Sequence, residues 1–306
     1  MKQWKRFAAV AASLLIVASG AAAAGKKFVV GYTNLADTDV FTMSRKSAFD
    51  QATKADPDLN VIFTDANNDA SRQLDQIDNF IAQKVNVIVV VPVDYQGIVP
   101  GVERANKAGI PVIALGIQSA GGKYTFVGSK NFDAGRLQGE FMAASLPKNA
   151  QILYLQGTPG LYHSKERLAG FTQTLAKRPD VKVLSSLPAD YDRAQGMKVT
   201  EDWVQRYPKF DAIVAANDQM ALGAVEALKT AGRLKGVEIS GVDGTGDALH
   251  AIKAGEMSQT IFQNAKGQAV AAYQVVETIK GGKQPPADVI VPFESVTTSN
   301  VGTYLK

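Results

Sequence analysis

Six apolar runs of the chain are each followed, within a few residues, by side chains able to grip a small polar molecule. Asn34 and the triplet Asp39-Val40-Phe41 follow residues 28–33, and His163 and Arg167 follow residues 151–155. Asp190-Tyr191-Asp192 follows residues 181–184, while Asn217, Asp243 and Gln263 follow residues 211–215, 237–241 and 259–262. Carboxylates and amides exchange hydrogen bonds with hydroxyl groups, arginine offers a planar fork of donors, and aromatic faces cover the apolar C–H surface of a sugar ring. The set suits a neutral polyhydroxylated ligand. Taken singly, each residue is equally at home elsewhere: Asn217 and Asp243 precede helical patterns and fit as helix caps, and the others fit solvated loops. Their recurrence at one kind of position carries the reading.

Catalytic chemistry has less support. The chain has no G-x-x-x-x-G-K-[ST], no H-E-x-x-H, no G-x-S-x-G and no C-x-x-C pair. Gly241, Gly244 and Gly246 lie near a strand end without the spacing of a dinucleotide fingerprint. The two histidines, His163 and His250, are far apart, and the absence of cysteine removes thiolate nucleophiles, disulfides and cysteine-bound metals. No enzyme activity, cofactor or metal is expected.

The elements that must hold these residues alternate. Residues 87–91 read Val-Ile-Val-Val-Val, an uninterrupted run that fits a strand covered on both faces, as in a parallel sheet. Leu74, Ile77 and Ile81 line one face of a helix over residues 70–84. Helices are predicted over residues 42–54, 98–107, 132–145, 165–177, 193–206, 248–254 and 266–280, and after Asn217, each between apolar strands. A last strand covers residues 288–292 and leaves 293–306 as a closing segment. The pattern makes two consecutive α/β sets with right-handed crossovers. Ligands of such open sheets bind beyond the carboxyl ends of the strands, where the polar residues fall.

With 306 residues, 46% hydrophobic and 20% charged, the chain suits two globular domains. Its start is different in kind: Lys2, Lys5 and Arg6 precede an apolar stretch over residues 7–17 and then Ala22-Ala23-Ala24. Residues 1–24 read as a secretory signal peptide removed after Ala24, which places the protein in a bacterial periplasm. Without it the net charge is +1, three fewer than the +4 of the whole chain, so nucleic acid is not an expected partner.

Four segments carry a family resemblance: Asn67-Asn68-Asp69 with Asp75-Gln76-Ile77-Asp78; Pro188-Ala189-Asp190-Tyr191-Asp192; Ala216-Asn217-Asp218-Gln219-Met220-Ala221-Leu222-Gly223-Ala224; and Gly241-Val242-Asp243-Gly244-Thr245. From about Lys27 onward the chain resembles the periplasmic sugar-binding proteins of ABC importers, the group of the ribose and glucose/galactose binders. The resemblance implies two Rossmann-like lobes, each a doubly wound, mainly parallel sheet, joined by a three-segment hinge and closing on a sugar. One lobe would comprise residues 25–129 with 264–291, the other 130–263 with 292–306, with crossings near Ser129-Lys130, Gln263-Asn264 and Val291-Pro292. It also implies a monomer that hands its ligand to a membrane permease, or presents it to a chemoreceptor or sensor kinase. A LacI-like repressor shares the fold, but a signal peptide stands where its helix-turn-helix would be. By position, Asp39, Phe41, His163, Arg167, Tyr191, Asn217, Asp243 and Gln263 match binding residues of the family, Tyr191 in place of a stacking Phe or Trp. The departures are Val91-Pro92 in place of an Asn and Gly116-Ile117 in place of an Asp-Arg pair. They imply an amino-terminal lobe short of polar contacts and a ligand such as another pentose or hexose, a linear polyol or a cyclitol.

Overall fold

The computed structural model describes residues 27–305; the expected signal peptide lies outside them. In chain order the elements begin β1 (Phe28–Asn34), α1 (Val40–Lys54), β2 (Leu59–Asp65), α2 (Ala70–Ala82), β3 (Val87–Val90), α3 (Val99–Lys107), β4 (Val112–Leu115) and β5 (Thr125–Gly128). They continue with α4 (Asn131–Ser145), β6 (Gln151–Gln156), α5 (Tyr162–Leu175), β7 (Lys182–Pro188), α6 (Arg193–Arg206), β8 (Ala212–Ala215), α7 (Asp218–Thr230) and β9 (Glu238–Asp243). The last are α8 (Gly246–Lys253), β10 (Gln259–Phe262), α9 (Ala265–Lys280), β11 (Asp288–Ile290) and β12 (Glu294–Thr297).

The strands form two six-stranded sheets, ordered β11-β5-β4-β3-β1-β2 and β12-β10-β9-β8-β6-β7. Every pairing is parallel except β10 with β12. The central strands β3, β4, β8 and β5 are buried along their whole length, as expected of strands covered by helices on both faces. The chain passes between the sheets three times: after β5, after β10 and after β11. Between the last two passages α9 packs Ala272, Val275 and Val276 into the core of the first sheet. After the third, Val296 joins the core of the second. The closing segment thus contains a strand, β12, that the sequence reading left unassigned.

Two pairs of helices in the second lobe meet backbone to backbone. A Cβ on Gly135 of α4 would lie 1.8 Å from the Arg167 carbonyl oxygen of α5, and one on Gly170 of α5 would lie 2.1 Å from that of Phe132. Glycine is required on both faces for α5 to sit this close, and that closeness sets the depth of Arg167.

Candidate ligand-binding site

A cavity of about 620 Å³ lies between the lobes, at the carboxyl ends of both sheets. Its size falls in the range of small-molecule sites. Of the nine residues expected from sequence, eight reach its wall: Asp39, Phe41, His163, Arg167, Tyr191, Asn217, Asp243 and Gln263. Asn34 does not. It is fully buried at the end of β1, where its Nδ2 donates to the Ala36 carbonyl at 3.1 Å and to Asp37 Oδ1 at 2.7 Å. Strand alternation turns this side chain into the loop that precedes α1, which it braces.

Arg167 is the most constrained group. Its Nη1 donates to the Ala216 carbonyl at 2.6 Å, its Nε to Asn131 Oδ1 at 3.2 Å and its Nη2 to Gln263 Oε1 at 3.2 Å. Asn131 and Gln263 flank the first two passages between the lobes, so the guanidinium is held by the hinge itself. Asp243 Oδ1 lies 3.9 Å from Nη1, and both side chains are buried. Among the described residues no donor reaches the Asp243 carboxylate. Burial pushes its pKa well above the usual carboxylate range, against the pull of Arg167 and with the neighbouring Asp218 and Asp39 adding to the rise. The Asp243 backbone has φ 125°, a conformation that costs an L-residue strain and that turns the end of β9 into the cavity. Beneath it, the buried carboxylate of Asp218 accepts from Thr260 Oγ1 at 2.6 Å and from the Thr245 amide at 2.8 Å, tying β10 to the loop after β9.

Asn217 caps α7 by accepting from the Met220 amide at 3.0 Å, and its Nδ2 donates to the Tyr191 carbonyl at 3.2 Å. Asn217 thus both caps its helix and lines the cavity. The carbonyl it holds belongs to a loop in which Asp190 and Tyr191 have φ of 52° and 61°. This left-handed pair throws the Tyr191 ring toward Gly157, where a Cβ would come within 2.0 Å of it. His163 stacks on the same ring, centroids 4.9 Å apart. Its Nδ1 is buried without a partner, and burial, reinforced by Arg167 and Arg45, lowers the imidazole pKa to about 3. The ring is neutral at physiological pH. Helix α5 begins at Tyr162, one turn earlier than predicted, which places His163 and Arg167 four apart on one face.

The first lobe contributes Asp39, whose Oδ1 caps α1 through the Thr42 amide at 2.7 Å, and Phe41. It also contributes Arg45, which the sequence reading missed. Arg45 is 2% exposed, lies over the Phe41 ring and donates from Nη1 to Gln268 Oε1 of α9 at 2.9 Å. The lobe is thus not as poor in polar contacts as the departures at Val91 and Gly116 implied. The readable signal was the inward stripe of α1, where Arg45 stands four residues after the half-buried Phe41 and four before the buried Phe49. Asn131, the other missed wall residue that bonds Arg167, carried no signal beyond its place before a helix.

The comparisons with known proteins fit this geometry. The profile of a family described as "Periplasmic binding protein domain" matches residues 30–284. The chain belongs to this family. It is 32% identical to the ribose import binding protein of Bacillus subtilis over 89% of this chain and 88% of that one. It is 35% identical to the xylitol-binding protein of Mycolicibacterium smegmatis, over 87% and 76%. An ABC transporter solute-binding protein from Bacillus halodurans, solved with bound myo-inositol, superposes with a TM-score of 0.87 at 35% identity, covering 92% of this chain and 98% of that one. Members of the family are extracytoplasmic solute-binding proteins rather than enzymes.

Proposed function

We propose that this family member is the periplasmic receptor of an ABC importer and captures a neutral sugar or polyol, a pentose, hexose or cyclitol, between its lobes. The observation that carries the reading is the wall of the cavity. Asp243 offers an acceptor that no donor among the described residues uses, and Arg167 lies beside it, fixed by three hydrogen bonds. Phe41 from one lobe and Tyr191 from the other supply aromatic surface. Arg45, Arg167 and Arg193 stand against Asp39, Asp190, Asp192 and Asp243, so charge is nearly balanced and a neutral ligand fits best. The relatives named above bind or import ribose, xylitol and myo-inositol, ligands of this chemistry.

In this reading the lobes are residues 25–129 with 264–291 and residues 130–263 with 292–306, and they move as bodies about the three crossings. Contacts from both lobes stabilise the closed form, which the permease recognises. The shift equals the difference in ligand affinity between the two forms. The protein works as a monomer after loss of residues 1–24, and no residue in the cavity has a catalytic task.

Thermal unfolding of the exported protein with a panel of pentoses, hexoses, linear polyols and inositols tests the proposal. At least one should raise the Tm in a concentration-dependent way. A panel in which no neutral sugar or polyol does so overturns it.

A further inference from the structure

The Arg45 guanidinium is buried against the cavity with almost nothing to satisfy it. Nη1 donates to Gln268 Oε1, and the buried Tyr32 hydroxyl lies beside the group without a well-formed bond to it. Nε is buried without a partner, and among the described residues no carboxylate pairs with the group, Asp39 and Asp243 acting on it only from a longer range. Arg167 across the cavity, by contrast, has three hydrogen bonds and a carboxylate at 3.9 Å. A buried cation so poorly compensated is expensive, so a purely structural role accounts badly for it.

Space has been made for it. Gly116 follows β4 with φ 80°, and a Cβ there would lie 1.9 Å from Arg45 Nη1. Any side chain at this position would displace the guanidinium. The first lobe thus pairs a residue without a side chain on one element with a long cation on another, and both line the cavity.

Resting on the sugar or polyol reading above, we propose that Arg45 is the specificity-determining residue of the first lobe, donating to oxygen atoms on the ligand edge opposite Asp243. A guanidinium only donates, whereas Asp243 only accepts when ionised. The ligand is therefore read by donors on one edge and by an acceptor on the other. A hydroxyl on the Arg45 edge is demanded, because without it the buried guanidinium goes unbonded.

The test uses the best neutral ligand from the panel and its set of monodeoxy analogues, titrated against the wild type and Arg45→Met. In the wild type, one or two deoxy positions should cost tenfold or more in Kd through Arg45. In Arg45→Met the parent ligand should bind at least tenfold more weakly, and the penalty at those positions should fall below about threefold. Gly116→Ala, which displaces the guanidinium without deleting it, should reproduce the pattern. If Arg45→Met does not fold, Gly116→Ala and Arg45→Lys carry the same comparison. A merely structural Arg45 would weaken parent and analogues by one common factor, and that result, like unchanged binding, overturns the proposal. A panel with no binder at all overturns instead the receptor reading on which it rests.

Discussion

Tyr162 of α5 meets Tyr95 of the opposite lobe, ring centroids 5.1 Å apart and planes inclined at 39°. The Tyr162 hydroxyl donates to Gln118 Oε1, also of the first lobe, at 3.2 Å. Neither tyrosine lines the cavity. The pair is therefore a contact between the lobes outside the cavity wall, and in the receptor reading it would favour the closed form. Aromatic pairs of this kind contribute about 0.5–1.5 kcal/mol. Tyr162→Ala should accordingly raise the Kd for any ligand of the panel about 2- to 13-fold, by the same factor for each, and leave the unfolding of the ligand-free protein nearly unchanged. Calorimetric titration measures this, and wild-type affinity would show that the contact plays no part in closure.

Asp243 leads to a prediction in which affinity and stability move apart. Its carboxylate is buried beside Arg167 with no hydrogen-bond donor among the described residues, and burial dominates the upward shift of its pKa. Asp243→Asn removes a charge that the empty fold holds at a cost, so the ligand-free protein should be no less stable than the wild type. The same change replaces a charged acceptor for the ligand, a bond of about 1.5–3 kcal/mol, and the Kd should rise about 10- to 150-fold. Parallel unfolding and titration curves decide it. A variant that binds normally would remove Asp243 from the site.

The close approach of α4 and α5 can be tested at a position far less exposed to the ligand. Helix propensity alone favours Ala over Gly at 135 by about 1 kcal/mol. The added Cβ would meet the backbone oxygen of Arg167 at 1.8 Å, and backbone cannot swing aside as a side chain tip can. Overpacking of this kind costs about 1–3 kcal/mol and outweighs propensity. Gly135→Ala should lose stability in denaturant titration and bind ligand more weakly, because Arg167 moves with its helix. Equal or greater stability would mean that the helices separate at no cost and that Arg167 is placed by other contacts.

What the sequence showed and what it hid follow from the same physics. Fully buried parallel strands such as β3 and β8 announce themselves as unbroken apolar runs, and their ends led directly to Asn217, Asp243 and Gln263. β12 escaped because it is a short edge strand in which only Val296 is fully buried, so its four residues carry no distinctive period. Asn34 lies off the cavity wall because its side chain turns into the loop before α1, a direction that a position after a strand does not disclose. Arg45 was overlooked because it sits within a helix rather than at a strand end. A charge at the centre of the Phe41, Arg45, Phe49 stripe is legible once helical spacing is laid over the search. The partnership of Arg45 with Gly116 was not legible, since it joins two elements 71 positions apart in the chain, a relation that only folding reveals.

His163 and Asp218 should write opposite signatures into the pH dependence of stability. Burial, with Arg167 and Arg45 near, lowers the His163 pKa from its ordinary 6.5 to about 3. Between those values the unfolded chain binds a proton that the folded protein refuses. Stability on this account is full above pH 6.5 and falls as pH drops, by up to about 1.4 kcal/mol per pH unit. Burial raises Asp218 from 3.8 to about 6, so over roughly pH 6 to 4 the folded state holds a proton that the unfolded chain has lost, and stability rises as pH drops. In the wild type the two slopes oppose each other. His163→Gln removes the first and leaves the second, so the variant should gain stability relative to the wild type as pH falls from 6.5 to 4.5, by about 2–3 kcal/mol at the lower end. Urea titrations of the ligand-free proteins at several pH values measure the difference. A difference that stays constant from pH 7 to 4.5 would show that the imidazole takes up its proton in the folded protein as freely as in the unfolded chain.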